Sequence, residues 1–282
     1  MTIENQYEGW NTESHLQTFN VWNRQSDVQF NFAYGNFAEQ RYLRATAQRL
    51  QKPSILDVGC ATGTTYRFLR NSMGEGAFDY LGLDLSEPAI EQATRLYPQE
   101  KFVAKGREPL AEYLPKRHDV VFSRDTVLHQ TSPYEFLTDL LSAAEKVLIL
   151  RLRTRDSGAT VFDTEQSCQM HYDQYWMPYI VLNTDELVAF LRSNAAVRRV
   201  TMNRSYEILG GQNSRYLPKE LYFSSAGAAE TAVMIELDRG NKATRPVEVV
   251  FENALEGHAF LRRHRLKRYF YATLSRALRP GA

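Results

Sequence analysis

Apolar runs alternate with amphipathic stretches over much of this chain. Short runs rich in β-branched and aromatic residues predict strands, and apolar positions that recur every three or four residues predict helices. The predicted strands cover 54–58, 79–84, 101–105, 118–123 and 146–153, and the predicted helices cover 38–51, 64–71, 87–96 and 134–144. This alternation is typical of an α/β protein in which helices cover both faces of a parallel sheet.

The pattern changes after the fifth predicted strand. Residues 155–182 carry no clear period and are expected to be irregular. A helix is predicted to open at Thr184, and two strand-like runs follow near 198–208 and 230–237. Glycine, serine, asparagine and proline separate these two runs, which favours a connection rather than a further helix.

A glycine-marked turn follows the first predicted strand. Residues 57–63 read Asp-Val-Gly-Cys-Ala-Thr-Gly, and a helix is predicted directly after them. A buried strand that ends in such a turn brings backbone close to a ligand at a helix N-terminus. A dinucleotide fingerprint counted from Gly59 would need glycine where Ala61 and Thr64 stand, so a pyrophosphate site is disfavoured.

A carboxylate ends the second predicted strand. Asp84 closes the run Tyr-Leu-Gly-Leu-Asp, and Ser86 and Pro88 then start a helix. An acid about 20 residues beyond a glycine-rich turn is placed to accept the hydroxyls of a ribose. The pair of segments therefore indicates a nucleoside site.

Together these segments resemble the class I S-adenosylmethionine-dependent methyltransferases. Their first motif is a strand ending in an acid, followed by Gly-x-Gly-x-Gly and a helix; here Ala61 replaces the middle glycine, and we expect it to keep a negative φ. The resemblance covers roughly 38–237. It implies a Rossmann-like, doubly wound, mostly parallel seven-stranded sheet with an antiparallel terminal hairpin, and S-adenosylmethionine as cofactor.

The resemblance also implies a set of cofactor contacts at the carboxyl ends of the strands. The expected residues are Asp57, Gly59, Cys60, Ala61, Gly63, Asp84, Leu85, Ser123 and Arg124. Many members carry an acid after the third strand that reaches the adenine amino group, but Arg107 stands there in this chain. Either Glu108 or backbone groups are left for that contact.

Methyl transfer to a hydroxyl or ammonium needs an aligned acceptor and a proton acceptor. His129, which follows the fourth strand, is the first candidate base, and His171 is the second. A helix-turn histidine with an internal hydrogen bond is the alternative for His129. The Asn/Asp/Ser-Pro-Pro-aromatic motif of enzymes that methylate base amino groups is missing after this strand, which disfavours a nucleic-acid acceptor for that chemistry, while ribose and ring-carbon methylation stay open.

An arginine series extends the fifth strand. The period of two places Arg151, Arg153 and Arg155 on one face, and buried guanidinium groups require anionic partners. An internal carboxylate such as Asp125 or Asp156 is one such partner, and a phosphate or carboxylate on the acceptor is the other. An anionic accepting oxygen would need no base. The residues predicted to bind substrate are Arg151, Arg153, Tyr172 and Tyr175.

The chain divides into three predicted parts. Residues 1–37 are aromatic-rich and predict a lid or substrate segment, 38–240 form the methyltransferase domain with an insertion at 155–182, and 241–282 form a basic helical extension. That extension has three interpretations: packing on the domain or on a second subunit as a homodimer, contact with an anionic membrane surface, or contact with nucleic acid.

Composition favours a cytoplasmic enzyme with a small-molecule acceptor. The 282 residues carry a formal net charge of +1, no leader-like N-terminus and two cysteines, which excludes a disulfide framework and a cysteine metal site. The predicted function is O-methylation of a small anionic or sugar-like metabolite. The alternatives are a non-catalytic S-adenosylmethionine-binding scaffold, a methyltransferase acting on RNA ribose or a lipid-linked glycan, and a nicotinamide-dependent dehydrogenase.

Overall fold

A computed structural model describes residues 8–171, 175–211, 214–240 and 246–253. The helices are α1 (Glu13–Asn23), α2 (Asp27–Tyr34), α3 (Ala38–Arg49), α4 (Thr64–Met73), α5 (Glu87–Leu96), α6 (Pro133–Ala143) and α7 (Thr184–Ser193). The strands are β1 (Ser54–Val58), β2 (Asp79–Asp84), β3 (Lys101–Ala104), β4 (His118–Arg124), β5 (Ala144–Arg155), β6 (Cys168–His171), β7 (Tyr175–Pro178), β8 (Leu182–Asn183), β9 (Val197–Tyr206), β10 (Arg215–Tyr216), β11 (Ala229–Leu237) and β12 (Glu248–Phe251).

The central sheet has the order β12-β9-β11-β5-β4-β1-β2-β3, with β8 paired to the end of β5. Neighbours from β3 to β5 run parallel, and β11 lies antiparallel between β5 and β9. The predicted α/β class and the terminal hairpin are therefore confirmed. The described part of the sheet has nine strands rather than seven, because β8 and β12 add to the predicted set.

The sheet is buried on both faces because helices cover each of them. On one face, leucines of α6 and α7 pack with Leu56 and Leu148 of the strands. On the other face, Leu43 of α3 and Leu69 of α4 pack with Ile55. This two-sided burial explains why β1, β4 and β5 read as continuous apolar runs. Because these strands are parallel, their carboxyl ends lie at one edge of the sheet.

The expectation that 155–182 is irregular holds for 156–167 and is wrong for the residues of β6 and β7. Strands β6 and β7 form an antiparallel pair, and β10 joins β6 to make a separate three-stranded sheet. These strands are two to four residues long and pair with one another rather than with the central sheet. Such short strands carry too few positions for a period of two to be recognised.

The N-terminal helices begin at side-chain caps. The Thr12 hydroxyl accepts a hydrogen bond from His15 N, and Ser26 forms a capping box with Gln29. Each cap satisfies amide groups that the first helical turn leaves without partners. The aromatic segment therefore begins as two helices with defined ends.

Helix α1 is fastened to the parallel-sheet domain at its C-terminal end. The Asn23 amide donates to Thr62 Oγ1 at 3.3 Å, and the Gln92 amide on α5 donates to Asn20 Oδ1 at 2.6 Å. Arg67 on α4 donates to the Trp22 carbonyl and forms an ion pair of 2.6 Å with Asp27. The helix therefore lies across the turn that follows β1.

The sheet continues past residue 240, since β12 pairs with β9 in parallel. Most of the predicted basic extension, residues 241–245 and 254–282, lies outside the described residues. None of the described helices is long and apolar enough to cross a membrane.

Candidate active site

The turn after β1 requires glycine at two positions. Gly59 has a φ of +84°, and a Cβ there would overlap the methyl group of Thr126. Gly63, at the N-cap of α4, has a φ of +80°, and a Cβ there would lie 3.0 Å from the Tyr97 ring. Both positions need the left-handed backbone region that glycine adopts without a steric cost.

Ala61 also adopts the left-handed region, with a φ of +47°. The expectation that it keeps a negative φ is therefore wrong. In this conformation its N–H donates to Asp84 Oδ2 at 2.8 Å, which ties the turn to the end of β2. A left-handed alanine costs roughly 1–2 kcal/mol, so the turn is strained where it meets the acidic residue.

The turn's amide groups are directed at β2. Gly59 N and Cys60 N both donate to the Leu83 carbonyl, at 2.8 and 3.1 Å, and Ala61 N donates to Asp84. These donors are therefore engaged within the protein. A pyrophosphate site would need these N–H groups as donors to the phosphate oxygens. Because they are already engaged, the turn is suited to contact an uncharged part of a ligand.

Asp84 lies at the end of β2 with both carboxylate oxygens partly engaged. Oδ1 accepts from Ser86 N at 2.9 Å, and Oδ2 accepts from Ala61 N. Burial raises the pKa of this carboxyl, and the backbone N–H groups of Ser86, Ala61 and Leu85 oppose that rise. An ionised carboxylate has about four acceptor positions, so capacity for ribose hydroxyls remains.

A cavity of about 400 Å³ lies over the carboxyl ends of the parallel strands. Among the predicted residues, those that line it are Gly59, Cys60, Ala61, Asp84, Leu85, Arg124 and His129. The N-terminal helices and the residues before them, which the sequence predicts as an aromatic-rich lid or substrate segment, supply an aromatic wall. Its members are Trp10, His15, Phe19, Trp22 and Tyr34, and Thr18 lines the cavity among them.

The remaining predicted cofactor residues lie behind the lining. Asp57 is buried and accepts a hydrogen bond from the Tyr80 hydroxyl at 2.6 Å. Burial raises the pKa of Asp57 to about 7, although hydrogen bonds from Tyr80 and Thr65 oppose that rise. The Ser123 hydroxyl donates to the Val58 carbonyl at 2.9 Å. These two side chains therefore stabilise the end of β1 and the turn without lining the cavity.

His129 lies in a short 3-10 helix after β4 and lines the cavity. Its Nδ1 is 2.8 Å from the Pro178 carbonyl oxygen, and because a carbonyl oxygen only accepts, Nδ1–H donates to it. The Trp10 ring packs edge-on against the imidazole at a centroid distance of 5.1 Å. The N-terminal segment and the small second sheet therefore both orient this histidine.

The other residues predicted to act on the acceptor lie elsewhere or outside the description. His171 ends β6, and its side chain is outside the described part of the structure, as is Tyr172. Tyr175 begins β7, lies against Gly9 and is not part of the cavity lining. Their predicted roles stay predictions.

Arg151 and Arg153 form a closed network with two carboxylates. Arg151 contacts Asp125 Oδ2 at 3.0 Å and Glu230 at 2.5 Å, and Arg153 contacts Asp125 Oδ1 at 2.8 Å and Glu230 at 3.1 Å. Against the effect of burial, the two guanidinium groups hold the pKa of Asp125 and that of Glu230 well below their usual ranges. Neither arginine belongs to the cavity lining.

Arg155 and Asp156, which the same pattern singled out, have other partners. Arg155 donates to the Ser157 carbonyl at 2.6 Å, and Asp156 pairs with Arg204 at 2.6 Å. Of the two internal carboxylates considered for the arginine series, Asp125 is the one that pairs with Arg151 and Arg153.

Arg124 is paired as well. Its Nε donates to Glu39 of α3 at 2.9 Å, and its guanidinium lies over the Phe37 ring at 4.5 Å. Neither Glu39 nor Glu230 was predicted. Both belong to ordinary amphipathic or alternating patterns, which give no signal for a buried ion pair.

Comparison with known proteins identifies the fold family. Residues 55–148, which contain the turn, Asp84 and β4, match the family model described as a methyltransferase domain. The chain carries a class I S-adenosylmethionine-dependent methyltransferase domain. A comparison with curated proteins finds no match.

Several solved structures share this fold at low sequence identity. The plantazolicin methyltransferase BpumL, solved with a monoazolic desmethylPZN analogue and S-adenosylhomocysteine, is 19% identical with a TM-score of 0.50 over 83% of this chain and 95% of its own. The N-terminal domain of EvdMO1 with S-adenosylhomocysteine is 16% identical with a TM-score of 0.50 over 71% and 81%. An O-methyltransferase from a polyketide synthase of Brevibacillus brevis is 12% identical with a TM-score of 0.52 over 80% of each chain.

The methyltransferase cavity fits S-adenosylmethionine. Asp84 can accept the ribose hydroxyls, and the aromatic wall suits a sulfonium, which rings attract and which must be kept from water. Beyond Asp84, the residues after β3 line the cavity, and Asp139 of α6 faces them. Glu108 is absent from this lining and accepts a hydrogen bond from Tyr113 at 2.6 Å. Among the described residues, no cluster suits a metal ion.

Proposed function

We propose that this protein transfers the methyl group of S-adenosylmethionine to a hydroxyl oxygen of a small, uncharged, sugar-like acceptor. The observation that carries the proposal is that one cavity is lined both by Asp84, the proposed ribose ligand, and by His129, whose Nδ1–H donates to the Pro178 carbonyl. Because both residues line the same cavity, a nucleoside bound at Asp84 would have open space between it and His129, the proposed proton acceptor.

The cofactor supplies an activated methyl group on a positively charged sulfur. The protein's part is to align the acceptor oxygen with that methyl group and to accept the hydroxyl proton. His129 Nε2 would accept the proton, and the Pro178 carbonyl would stabilise the resulting imidazolium through Nδ1–H. Trp10 supports the ring from the side and excludes water.

The charge balance favours a neutral acceptor. Arg124 is matched by Glu39, and Arg151 and Arg153 are matched by Asp125 and Glu230. The arginine series therefore supplies no surplus positive charge for a phosphate or carboxylate. Lys105 and Arg107 also line the cavity, but they follow β3, on the side of Asp84 away from His129.

The direct test is methyl transfer from labelled S-adenosylmethionine to two acceptor panels, neutral sugars and polyols in one and phosphosugars and small acids in the other. We expect turnover in the first panel. Turnover confined to the second panel would contradict the neutral acceptor. Cofactor binding without turnover on any acceptor would instead favour the scaffold alternative.

The base is tested by His129→Asn, because an asparagine amide can still donate to the Pro178 carbonyl while no basic nitrogen remains. We expect kcat to fall by about 10²–10⁴. Calorimetric affinity for S-adenosylhomocysteine should stay near that of the wild type. His15, which also lines the cavity, gives the comparison. If His15→Asn abolishes turnover and His129→Asn does not, the assignment of the base is wrong.

A further inference from the structure

A short 3-10 helix, Glu8–Asn11, precedes α1 and contributes Trp10 to the cavity wall. We call this helix the strap. On one side it is held by the Ser86 hydroxyl, which donates to the Trp10 carbonyl at 2.7 Å. On the other side Gly9 lies against Tyr175 of β7, in the small second sheet. The strap therefore bridges two parts of the fold that are far apart in the sequence.

The Trp10 ring packs against two histidines of the cavity lining. It lies edge-on to His129 at a centroid distance of 5.1 Å and edge-on to His15 at 5.0 Å. His15 packs in turn against Phe19 of α1 at 4.9 Å, so the strap and α1 form one aromatic row. Trp10 is therefore the residue through which the strap contacts the proposed proton acceptor.

Ser86 makes hydrogen bonds that can be separated by substitution. Its backbone N–H donates to Asp84 Oδ1 at 2.9 Å and so holds the carboxylate proposed to bind the ribose. Its hydroxyl donates to the Trp10 carbonyl and accepts from Ala89 N at 3.4 Å as the N-cap of α5. A change of the side chain removes the hydroxyl and leaves the backbone bond to Asp84 in place. The contact with the strap can therefore be tested apart from the cofactor site.

Both attachments of the strap depend on the residue that makes them. Ser86 is fully buried, so loss of its hydroxyl takes away the donor of the Trp10 carbonyl at a place where water does not replace it. At Gly9 a Cβ would lie 2.9 Å from Tyr175 Cβ, a distance at which one of the two segments must move. Either change therefore displaces the strap, and the Trp10 ring moves with it.

We infer that Ser86 and Gly9 are positioning residues that hold Trp10 against the His129 ring and act on methyl transfer through this histidine. The inference rests on the proposed function for the role of His129. The Pro178 carbonyl holds Nδ1 of the imidazole, and Trp10 limits the tilt of the ring about that bond. A proton acceptor must lie within hydrogen-bond reach of the acceptor oxygen, and a misplacement of about 1 Å can cost about 10²-fold in rate.

The first test measures kcat with S-adenosylmethionine and calorimetric affinity for S-adenosylhomocysteine. Ser86→Ala should lower kcat about 5- to 100-fold, because the strap loses a hydrogen bond and the base its support. Its affinity for S-adenosylhomocysteine should stay near that of the wild type, because the backbone N–H still holds Asp84. Ser86→Thr, which keeps the hydroxyl, should retain most of the wild-type kcat.

Ser26→Ala is the matched control. Ser26 caps α2 with its hydroxyl, as Ser86 caps α5, but it does not line the cavity. The control should therefore lose the stability of one helix cap, measured by thermal unfolding, and keep the wild-type kcat.

A second test follows the histidine ring directly and needs no acceptor. The imidazole protons of His129 should carry a ring-current shift from Trp10 in NMR spectra, and His129→Asn assigns these signals by removing them. Ser86→Ala and Gly9→Ala should both move the His129 signals, whereas Ser26→Ala should leave them in place. Gly9→Ala acts at the other attachment of the strap, so it decides the matter if Ser86→Ala does not fold.

The outcomes separate the inference from the proposed function. Equal kcat in Ser86→Ala and Ser26→Ala, or unmoved His129 signals in both strap variants, would overturn the inference. A parallel loss of kcat and of S-adenosylhomocysteine affinity in Ser86→Ala would also overturn it, because Ser86 would then act through Asp84. If the wild type methylates no acceptor, the proposed function fails, and the His129 signals still decide whether Ser86 and Gly9 position the ring.

Discussion

Replacing Asp57 by asparagine should make the protein more stable at neutral and alkaline pH. Asp57 is buried below the turn, and burial raises its pKa from 3.8 to about 7. The ionised form of Asp57 is therefore less favourable in the folded protein than in the unfolded chain. Asparagine has no charge to bury, and its side chain can still accept from the Tyr80 hydroxyl, which now lies 2.6 Å from Oδ2.

The sign and size of the effect follow from the shift. Because the folded pKa lies above the unfolded one, the contribution of Asp57 to stability is greatest below pH 3.8 and is lost as pH rises toward 7. A shift of about three units at 1.36 kcal/mol each corresponds to about 4 kcal/mol. The advantage of Asp57→Asn over the wild type should therefore grow by up to about 4 kcal/mol between pH 4 and pH 8.

The measurement is urea unfolding of both proteins at several pH values from 4 to 8, with the difference in unfolding free energy plotted against pH. Asp119→Asn is the control of opposite sign. Against burial, the Lys146 ammonium at 2.8 Å and the Ser54 donors lower the pKa of Asp119, so its stabilising effect is already present above its unfolded pKa. Its difference plot should be nearly flat from pH 5 to 8. A flat plot for Asp57→Asn as well would refute the reasoning.

Further predictions concern the turn and the adenine end of the cavity. Gly59→Ala should destabilise the protein by more than about 2 kcal/mol, because the new Cβ would overlap Thr126 and the residue has a positive φ. Ala61→Gly should stabilise the protein by about 0.5–1 kcal/mol, because glycine adopts the positive φ of this position without strain. Thermal unfolding of both variants measures the two effects, and equal destabilisation by both would contradict the prediction. Asp139 lines the cavity near the residues after β3 and accepts from Leu110 N, and we expect it to accept from the adenine amino group as well. Asp139→Asn should therefore weaken S-adenosylhomocysteine binding about tenfold in calorimetric titrations and favour the inosine analogue, whose keto oxygen accepts from the new amide. Glu108→Gln is the control, and a change of base preference there instead would contradict a role for Asp139.

The sequence predicts those parts of the molecule whose physical cause is local. β1, β2 and β4 are continuous apolar runs because both faces of the sheet are buried, so their boundaries could be predicted to within a residue. Gly59 and Asp84 follow such strands directly, and parallel strands bring their carboxyl ends to one edge. The nucleoside end of the cavity could therefore be predicted.

The remainder depends on contacts between distant segments. Arg124 meets Glu39 across 85 residues, and Arg151 meets Glu230 across 79 residues. No pattern near either glutamate distinguishes it from a solvated one. The expectation of a negative φ at Ala61 was wrong for a similar reason. The Ala61 N–H donates to the carboxylate of Asp84, which is 23 residues away in the sequence. Long-range pairing outweighed the local preference at each of these positions.

A crystal structure of the protein with S-adenosylhomocysteine tests the central claim most directly. We predict that the ribose hydroxyls lie within hydrogen-bond distance of the Asp84 carboxylate and that the sulfur lies between the turn after β1 and His129. A ligand bound away from Asp84, or a nucleoside whose sulfur faces away from His129, would contradict this account.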